Sequence, residues 1–286
     1  MYIHPEMLKD IERLNLLSRE EKYKLIGLSK LLDDSGKIKI PENIKHIKID
    51  IGLSFSAPNA SLWLCETEDR IVFGVEPSPI NLACLHEGFA GRNGVNEEQA
   101  SMCVNEGVIY KNNKIEKSGI NDRFKMLYCG FDDVGRNNPQ FVPFYMTSGD
   151  PGCSSLSIPT NKLPNDVKFG TDGRGLAMTS VGVISFYDFL EKVPWDRFEF
   201  IEQVKIDTQG RDLNILKSSE EYLQKIVFLQ VENSTNGEYE DSHTKEEIHD
   251  FLINNDFKHI STVGVDSSYV NNKYSHLIDG LHNSVV

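Results

Sequence analysis

From residue 47 onward the chain alternates short apolar runs with helix-like stretches: "IKIDI", then 56–66, "RIVFGV", then 80–89. Parallel strands need a long crossover between them, and a helix supplies it, so this rhythm restricts the chain to an α/β fold with a parallel sheet. It returns downstream in "VGVISFYDFLEKV", "FIEQVKID", a predicted helix over about 211–222, and "KIVFLQVE". Thr244 and Glu247 then form a capping box that opens a helix with Ile248, Phe251 and Leu252 on one face, and "FKHISTVGV" reads as a closing strand.

Upstream, Ser18 and Glu21 make another capping box, and Leu25, Leu28 and Leu32 recur near helical spacing until "DDSG" stops the run. Residues 5–32 therefore read as helical, which divides the chain into an N-terminal helical extension, 1–40, and a main domain, 41–286. Within that domain, 91–122 is polar and rich in Gly and Asn, an insertion with little core of its own. "FKMLYCGF" and "QFVPFYMT" follow as strands, and the Gly, Pro and Ser content of 148–180 marks long loops, of the kind that serve as lids or as surface excursions.

A chain of 286 residues buries enough surface to fold without disulfides. Its 5 cysteines are widely spaced and never arranged as C-x-x-C, which fits reduced thiols in a cytoplasmic protein and argues against a zinc site. Lys and Arg number 30 against 43 Asp and Glu, a net charge of -13 that argues against a nucleic-acid partner. No uncharged apolar stretch approaches the ~20 residues of a membrane span, and the opening "MYIHPEMLKDIERLNLL" does not read as a signal peptide.

Two of the runs end alike, "IKID" on Asp50 and "VKID" on Asp207, and an open α/β sheet collects its functional side chains at the carboxyl ends of its strands. Gly52 follows where a strand gives way to a helix, which permits a tight turn and close approach of a ligand to unpaired helix N–H groups. Neither G-x-G-x-x-G nor G-x-x-x-x-G-K-[ST] occurs, so dinucleotide and triphosphate sites lose their main support. Glu76 ends the next strand, as an ordinary surface acid or as a carboxylate that accepts both hydroxyl hydrogens of a ribose. A glycine turn followed by such an acid suits an adenosine-type ligand without a pyrophosphate, such as S-adenosylmethionine.

The pairing of "IDIGLSFSAPNASLWL" and "VFGVEPSPIN" with "VKIDTQGRDLNILKSSEEYLQKIVFLQVE" resembles the FkbM family of S-adenosylmethionine-dependent methyltransferases over about residues 47–264. The most specific part is the K-I-D-x-x-G-x-acid run of Lys205, Ile206, Asp207, Gly210 and Asp212, closed by Glu232. The resemblance implies an α/β fold with a Rossmann-like class I methyltransferase sheet. It also implies transfer of a methyl group from S-adenosyl-L-methionine to a hydroxyl of a sugar, glycan or other polyhydroxylated small molecule. Asp50 and Gly52 then match the first cofactor motif, Glu76 the ribose-binding acid, and Asp132 or Asp133 an adenine contact. The glycines usual after Gly52 are replaced by "LSFSAPN", which leaves Ser54 and Asn59 as side chains of the cofactor loop, and Asp212 stands where Glu is usual. Ser154 and Ser155 resemble a serine-rich segment near the family's site, and a plain turn after Asp150, Pro151 and Gly152 explains them as well.

Asp207 lies just before "TQGRDLNIL", where an Asp commonly caps a helix. Under the resemblance it becomes the first choice for the carboxylate that takes the proton of the acceptor hydroxyl, with Glu232 and Asp212 behind it. His243 and His249 are not spaced as an i, i+4 ligand pair, and no metal is expected. Two other readings compete. One is a binding protein that keeps the fold without turnover, motivated by the altered loop and by Asp212. The other is a nucleotide-sugar enzyme on a similar sheet, weakened by the missing phosphate loop.

Overall fold

A computed structural model gives the structure of the protein and describes residues 5–89, 100–169, 177–233 and 237–280. The parts of the expected insertion and loop region at 90–99 and 170–176 lie outside the described residues. In chain order the strands are β1 (His46–Ile51), β2 (Arg70–Val75), β3 (Ser101–Cys103), β4 (Val108–Lys111), β5 (Lys114–Ser118), β6 (Phe124–Leu127), β7 (Gly130–Phe131), β8 (Gln140–Met146), β9 (Ala177–Ile184), β10 (Ile201–Ile206), β11 (Ile226–Glu232), β12 (Phe257–Val263) and β13 (Asp266–Asn271). The α-helices are α1 (Pro5–Asn15), α2 (Arg19–Leu25), α3 (Leu28–Leu31), α4 (Pro58–Glu66), α5 (Pro79–Glu87), α6 (Asn165–Phe169), α7 (Phe186–Leu190), α8 (Asp212–Ser218) and α9 (Lys245–Asn254).

The architecture is mixed α/β around a 7-stranded sheet in the order β12-β13-β11-β10-β1-β2-β6. The five strands from β11 to β6 are mutually parallel, and β13 runs antiparallel to both its neighbours. Helices cover both faces, so β2 and β10 are buried along their whole length, as expected of parallel strands inside an α/β fold. Ile47, Ile49 and Ile51 of β1 point to one face, into the larger core with Phe186 and Phe189 of α7 and Leu213 and Leu216 of α8. The other face belongs to α4, where Trp63 and Leu64 pack with Leu53 and Val72.

Two 3-stranded sheets flank the central one. Strands β3, β4 and β5 form an antiparallel meander whose Met102 and Ile109 join the α4 core, so this part of the expected insertion is anchored by apolar contacts. Strands β7, β9 and β8 form the other. The expected single strand "FKMLYCGF" is therefore two: β6 in the central sheet, and β7, which pairs with β9. Likewise "FKHISTVGV" does not close the sheet, because β13 folds back and inserts between β12 and β11.

Both capping boxes form as read, Ser18 with Glu21 and Thr244 with Glu247. The expected helix over 5–32 divides into α1, α2 and α3, with a break at Gly27, whose φ of +86° is left-handed. The break turns Tyr23, Ile26 and Leu28 into the main core. The helix expected over 211–222 ends at Ser218 and continues as a 3₁₀ turn, Glu220–Lys225. Among the described residues no helix is long and apolar enough to cross a membrane.

Lys48 and Arg70 put cations inside the sheet. Arg70 donates to both oxygens of Glu202 at 3.0 and 3.2 Å, to the Trp63 carbonyl at 3.1 Å and to Glu66. Lys48 reaches Glu66 at 3.3 Å and lies over the Trp63 ring. Removing one member of such a buried set leaves a charge unpaired. Arg70→Leu should therefore cost about 3–5 kcal/mol in urea unfolding, and a change within experimental error would show that the remaining groups compensate.

Candidate functional site

The carboxyl ends of β1, β2 and β10 converge on Gly52. Its N–H donates to the Val75 carbonyl at 3.0 Å, while Asp207 N–H donates to the Ile51 carbonyl at 3.0 Å. Gly52 adopts φ +86°, and an added Cβ would lie 1.8 Å from the Asp207 carbonyl oxygen. Only glycine fits there, on both conformational and steric grounds.

Beyond Gly52 the chain makes a tight turn in which Ser54 (φ 58°) and Ala57 (φ 49°) are left-handed, a conformation that costs a non-glycine residue about 1–2 kcal/mol. Two carboxylates brace it. Glu76, at the end of β2, accepts Ser54 N–H at 2.9 Å on one oxygen and Ser78 N–H at 2.8 Å on the other. Asp50, buried within β1, accepts Ala60 N–H at 3.0 Å and so caps α4, which has no side-chain cap of its own. The second Asp50 oxygen is buried without a partner. Burial pushes Asp50 up to about 6, against the pull of Lys205. Burial also pushes Glu76 up to about 7, against the pull of the Ser78 and Ser54 amides.

At the end of β10, Asp207 accepts from Lys205 Nζ at 2.9 Å and from Gln209 Nε2 at 2.8 Å. The same Gln209 nitrogen donates to Glu232, the last residue of β11, at 2.7 Å. Burial opposes the Asp207 charge, yet Lys205, a hydrogen bond from the Glu232 carboxyl and, after these, the Gln209 amide hold its carboxyl below the usual range. Glu232 is pushed far up, first by burial and then by the charge of Asp207. Lys205 is itself buried, which disfavours its charge, but Asp207 and Asp50 outweigh burial and keep it protonated. The outcome is an ion pair, Lys205 with Asp207, beside a protonated Glu232. Asp212 accepts from the N–H groups of Thr208 and Gly210 at 3.1 and 3.2 Å, bracing the turn into α8. Burial pushes it up to about 6.

A cavity of about 50 Å³ opens between these strand ends, with Gly52, Ser54, Glu76, Asn81, Asp207 and Thr208 on its polar side. Phe131, Phe144 and Leu156 close its apolar side. Asn81 Nδ2 donates to the Pro151 carbonyl at 3.3 Å, and its Oδ1 is buried with no partner. Residues 148–157 lie across the opening as a strap. Its Gly149 and Asp150 N–H groups bond the Val167 carbonyl in α6 at 3.0 and 3.1 Å. Ser155 Oγ donates to the Gln209 carbonyl at 2.7 Å, and the Tyr239 hydroxyl donates to the Cys153 carbonyl at 2.7 Å.

Of the residues singled out from sequence, Gly52, Ser54, Glu76, Ser154 and Asp207 line this cavity, and Asp50 lies in β1, two residues before Gly52. Asn59 sits in the first turn of α4, away from the lining. Asp132 follows β7 rather than a central strand, and it is held by Arg211 at 2.9 Å and Asn214 at 3.0 Å. The adjacent Asp133 is exposed. Asp212 and Glu232 stand behind Asp207, linked to it through the Thr208–Gly210 turn and Gln209. Sequence reasoning missed Asn81, Gln209 and Tyr239. The only local signal was the composition of "EPSPIN" and "DTQG", which says nothing of what meets them in space. Among the described residues no group of 3 or more His, Cys, Asp or Glu is arranged to hold a metal ion.

Residues 45–259 match the methyltransferase FkbM domain, about three quarters of the chain. The protein belongs to the FkbM methyltransferase family. No curated protein and no solved structure matches the chain.

The raised Glu76 carboxyl makes a prediction for this FkbM domain. Its folded value of about 7 lies above the ordinary 4.5, so the folded state binds more protons between these limits. The Glu76 contribution is thus most favourable below pH 4.5, declines as pH rises, and is flat above about 7. The stability of wild type minus that of Glu76→Gln should fall by something on the order of 3 kcal/mol across this window. Urea unfolding of both proteins at a series of pH values reads it, and a flat or rising difference would contradict the burial argument.

Proposed function

We propose that the protein is an S-adenosylmethionine-dependent O-methyltransferase acting on a hydroxyl of a sugar, glycan or other polyhydroxylated small molecule. The observation that carries this reading is one cavity, at the carboxyl ends of parallel strands, lined by both Glu76 and the ionised Asp207. The α/β sheet supports it too, since its five parallel strands and inserted antiparallel β13 suit a Rossmann-like methyltransferase sheet. S-adenosylmethionine supplies a methyl group on a sulfonium sulfur, an electrophilic carbon open to in-line displacement.

The donor set suits that cofactor. The Glu76 carboxyl accepts one backbone N–H on each oxygen and a hydrogen bond from the Asn81 side chain, which leaves a lone pair for a ribose hydroxyl. The unpartnered Asn81 Oδ1 is a buried acceptor that a ligand hydroxyl or amino group would satisfy. Phe131, Phe144 and Leu156 offer an apolar wall to a purine. Space is the constraint: about 50 Å³ is far below the roughly 300 Å³ of a small-molecule site, so the 148–157 strap has to move to admit the cofactor. Asp207 is the carboxylate placed to receive the proton of the acceptor hydroxyl. Its N–H bond to Ile51 and its lock against Gly52 fix it relative to the cofactor turn, and such positioning lowers a barrier by several kcal/mol. The reading needs no metal.

Calorimetry should detect binding of S-adenosylhomocysteine to wild type, and Glu76→Ala should weaken it by about 1.5–3 kcal/mol, the range for hydrogen bonds to a charged group. Unchanged affinity in a folded variant would remove Glu76 from the site.

With an accepted substrate and saturating donor, Asp207→Asn should lower the single-turnover rate by roughly 10²-fold or more, because the amide cannot take a proton. Affinity for S-adenosylhomocysteine should stay within about threefold of wild type. A wild-type rate would remove Asp207 from the role of base.

A further inference from the structure

Gln209 has φ 58°, a left-handed conformation uncommon for a non-glycine residue, and its side chain is held by hydrogen bonds at both ends of the amide. Its Nε2 carries two hydrogens, given to Asp207 Oδ1 at 2.8 Å and to Glu232 Oε2 at 2.7 Å. Its Oε1 lies 3.1 Å from the Tyr239 hydroxyl, whose single hydrogen it shares with the Cys153 carbonyl. The ionised Asp207 settles the orientation of the amide, since Oε1 in that place would face a carboxylate with no proton to give. Tyr239 also reaches the Cys153 carbonyl at 2.7 Å, so one phenol joins the amide to the strap.

We infer that Gln209 is a positioning residue whose amide clamps the carboxyls of Asp207 and Glu232, so that Asp207, beside Lys205, is the member that stays charged to receive a proton. What Asp207 does with the proton rests on the methyl-transfer reading; the clamp does not.

The charge count explains why a neutral double donor is needed. Among the described residues Lys205 is the one cation hydrogen-bonded to the pair, and it also faces Asp50 and Asp266. Asp212 adds a further acid beside Glu232, and Asp207 also faces Glu76. Cys153 on the strap and Tyr239, with Glu238 beside it, complete the surroundings. One ammonium cannot support two carboxylates in so acidic a setting, so one acid must keep its proton. A cation at 209 would ionise both acids, an acid would add a third, and an apolar residue would take one donor from each. An amide of this length donates to each carboxyl in either protonation state.

The experiment is a carbon-13 NMR titration of protein labelled at Asp and Glu carboxyls, with the two signals assigned by their loss in Asp207→Asn and Glu232→Gln. In wild type, Asp207 stays ionised and Glu232 stays protonated through the neutral range. In Gln209→Leu the Asp207 midpoint should rise by about one pH unit or more, a roughly tenfold gain in proton affinity, because a buried carboxylate has lost a donor. Tyr239→Phe keeps the ring and removes only the hydroxyl that orients the amide; it should shift Asp207 in the same direction by less, and it serves if the Leu variant does not fold. Gln209 does not line the cavity, so affinity for S-adenosylhomocysteine at pH 7 should stay within about threefold of wild type in Gln209→Leu. A merely structural Gln209 would lower the melting temperature and leave the Asp207 midpoint in place, which overturns the inference. Failure of wild type to bind S-adenosylhomocysteine would sink the proposed cofactor and leave the titration result standing.

Discussion

The contact of Gly52 with the Asp207 carbonyl sets the distance between the two halves of the site. A Cβ at Gly52 would stand 1.8 Å from that oxygen, so the ends of β1 and β10 touch through backbone alone. Around this point the Ile51 carbonyl receives Asp207 N–H, and the Val75 carbonyl receives Gly52 N–H. Three strands are thereby locked in register where their side chains emerge. The turn after Gly52 inherits its path from that lock, and Glu76 and Asp50 then hold it through Ser54 and Ala60. Any side chain at 52 would have to push Asp207 away from the partners that keep it ionised.

Electrostatics extends the same economy. Parallel register places Asp50 beside Lys205 on one face of the sheet, and Lys205 bonds Asp207 one turn of the pleat further on. One buried ammonium thus serves two acids on neighbouring strands. The acids beyond its reach, Glu76 and Asp212, depend on backbone N–H groups instead, and their carboxyls rise toward neutrality as burial wins. Glu232 has the shared Gln209 amide and a hydrogen bond with Asp207, and it keeps its proton. The pattern separates one committed carboxylate from a set of acids with raised affinity for protons.

Much of this was legible in the sequence because it is local. The strand–helix alternation gave β1, α4, β2, α5, β10, α8 and β11 their places, and both capping boxes formed between residues three apart. A residue at the end of a strand is visible as such, which is why Gly52, Glu76 and Asp207 could be named. Three things were not legible, each because it depends on contacts distant in sequence. Strand β7 is two residues long and exists by pairing with β9, which moved Asp132 away from the central sheet. The strap reads as a string of turn residues, and its course is set by Val167, Gln209 and Tyr239. Gln209 itself looks like any polar turn residue until Glu232 arrives from β11. Helix α3 records another tertiary influence, since Gly27 breaks the N-terminal run so that Ile26 and Leu28 enter the core.

The central claim is that the closed cavity between Glu76 and Asp207 receives the methyl donor once the 148–157 strap shifts. A crystal structure with S-adenosylhomocysteine bound tests it most directly. The account predicts ribose hydroxyls on Glu76, a hydrogen bond to Asn81 Oδ1, the sulfur facing Asp207, and the strap displaced from its contacts with Asn81 and Tyr239. A ligand bound elsewhere on the molecule, with the strap and cavity unchanged, would contradict it.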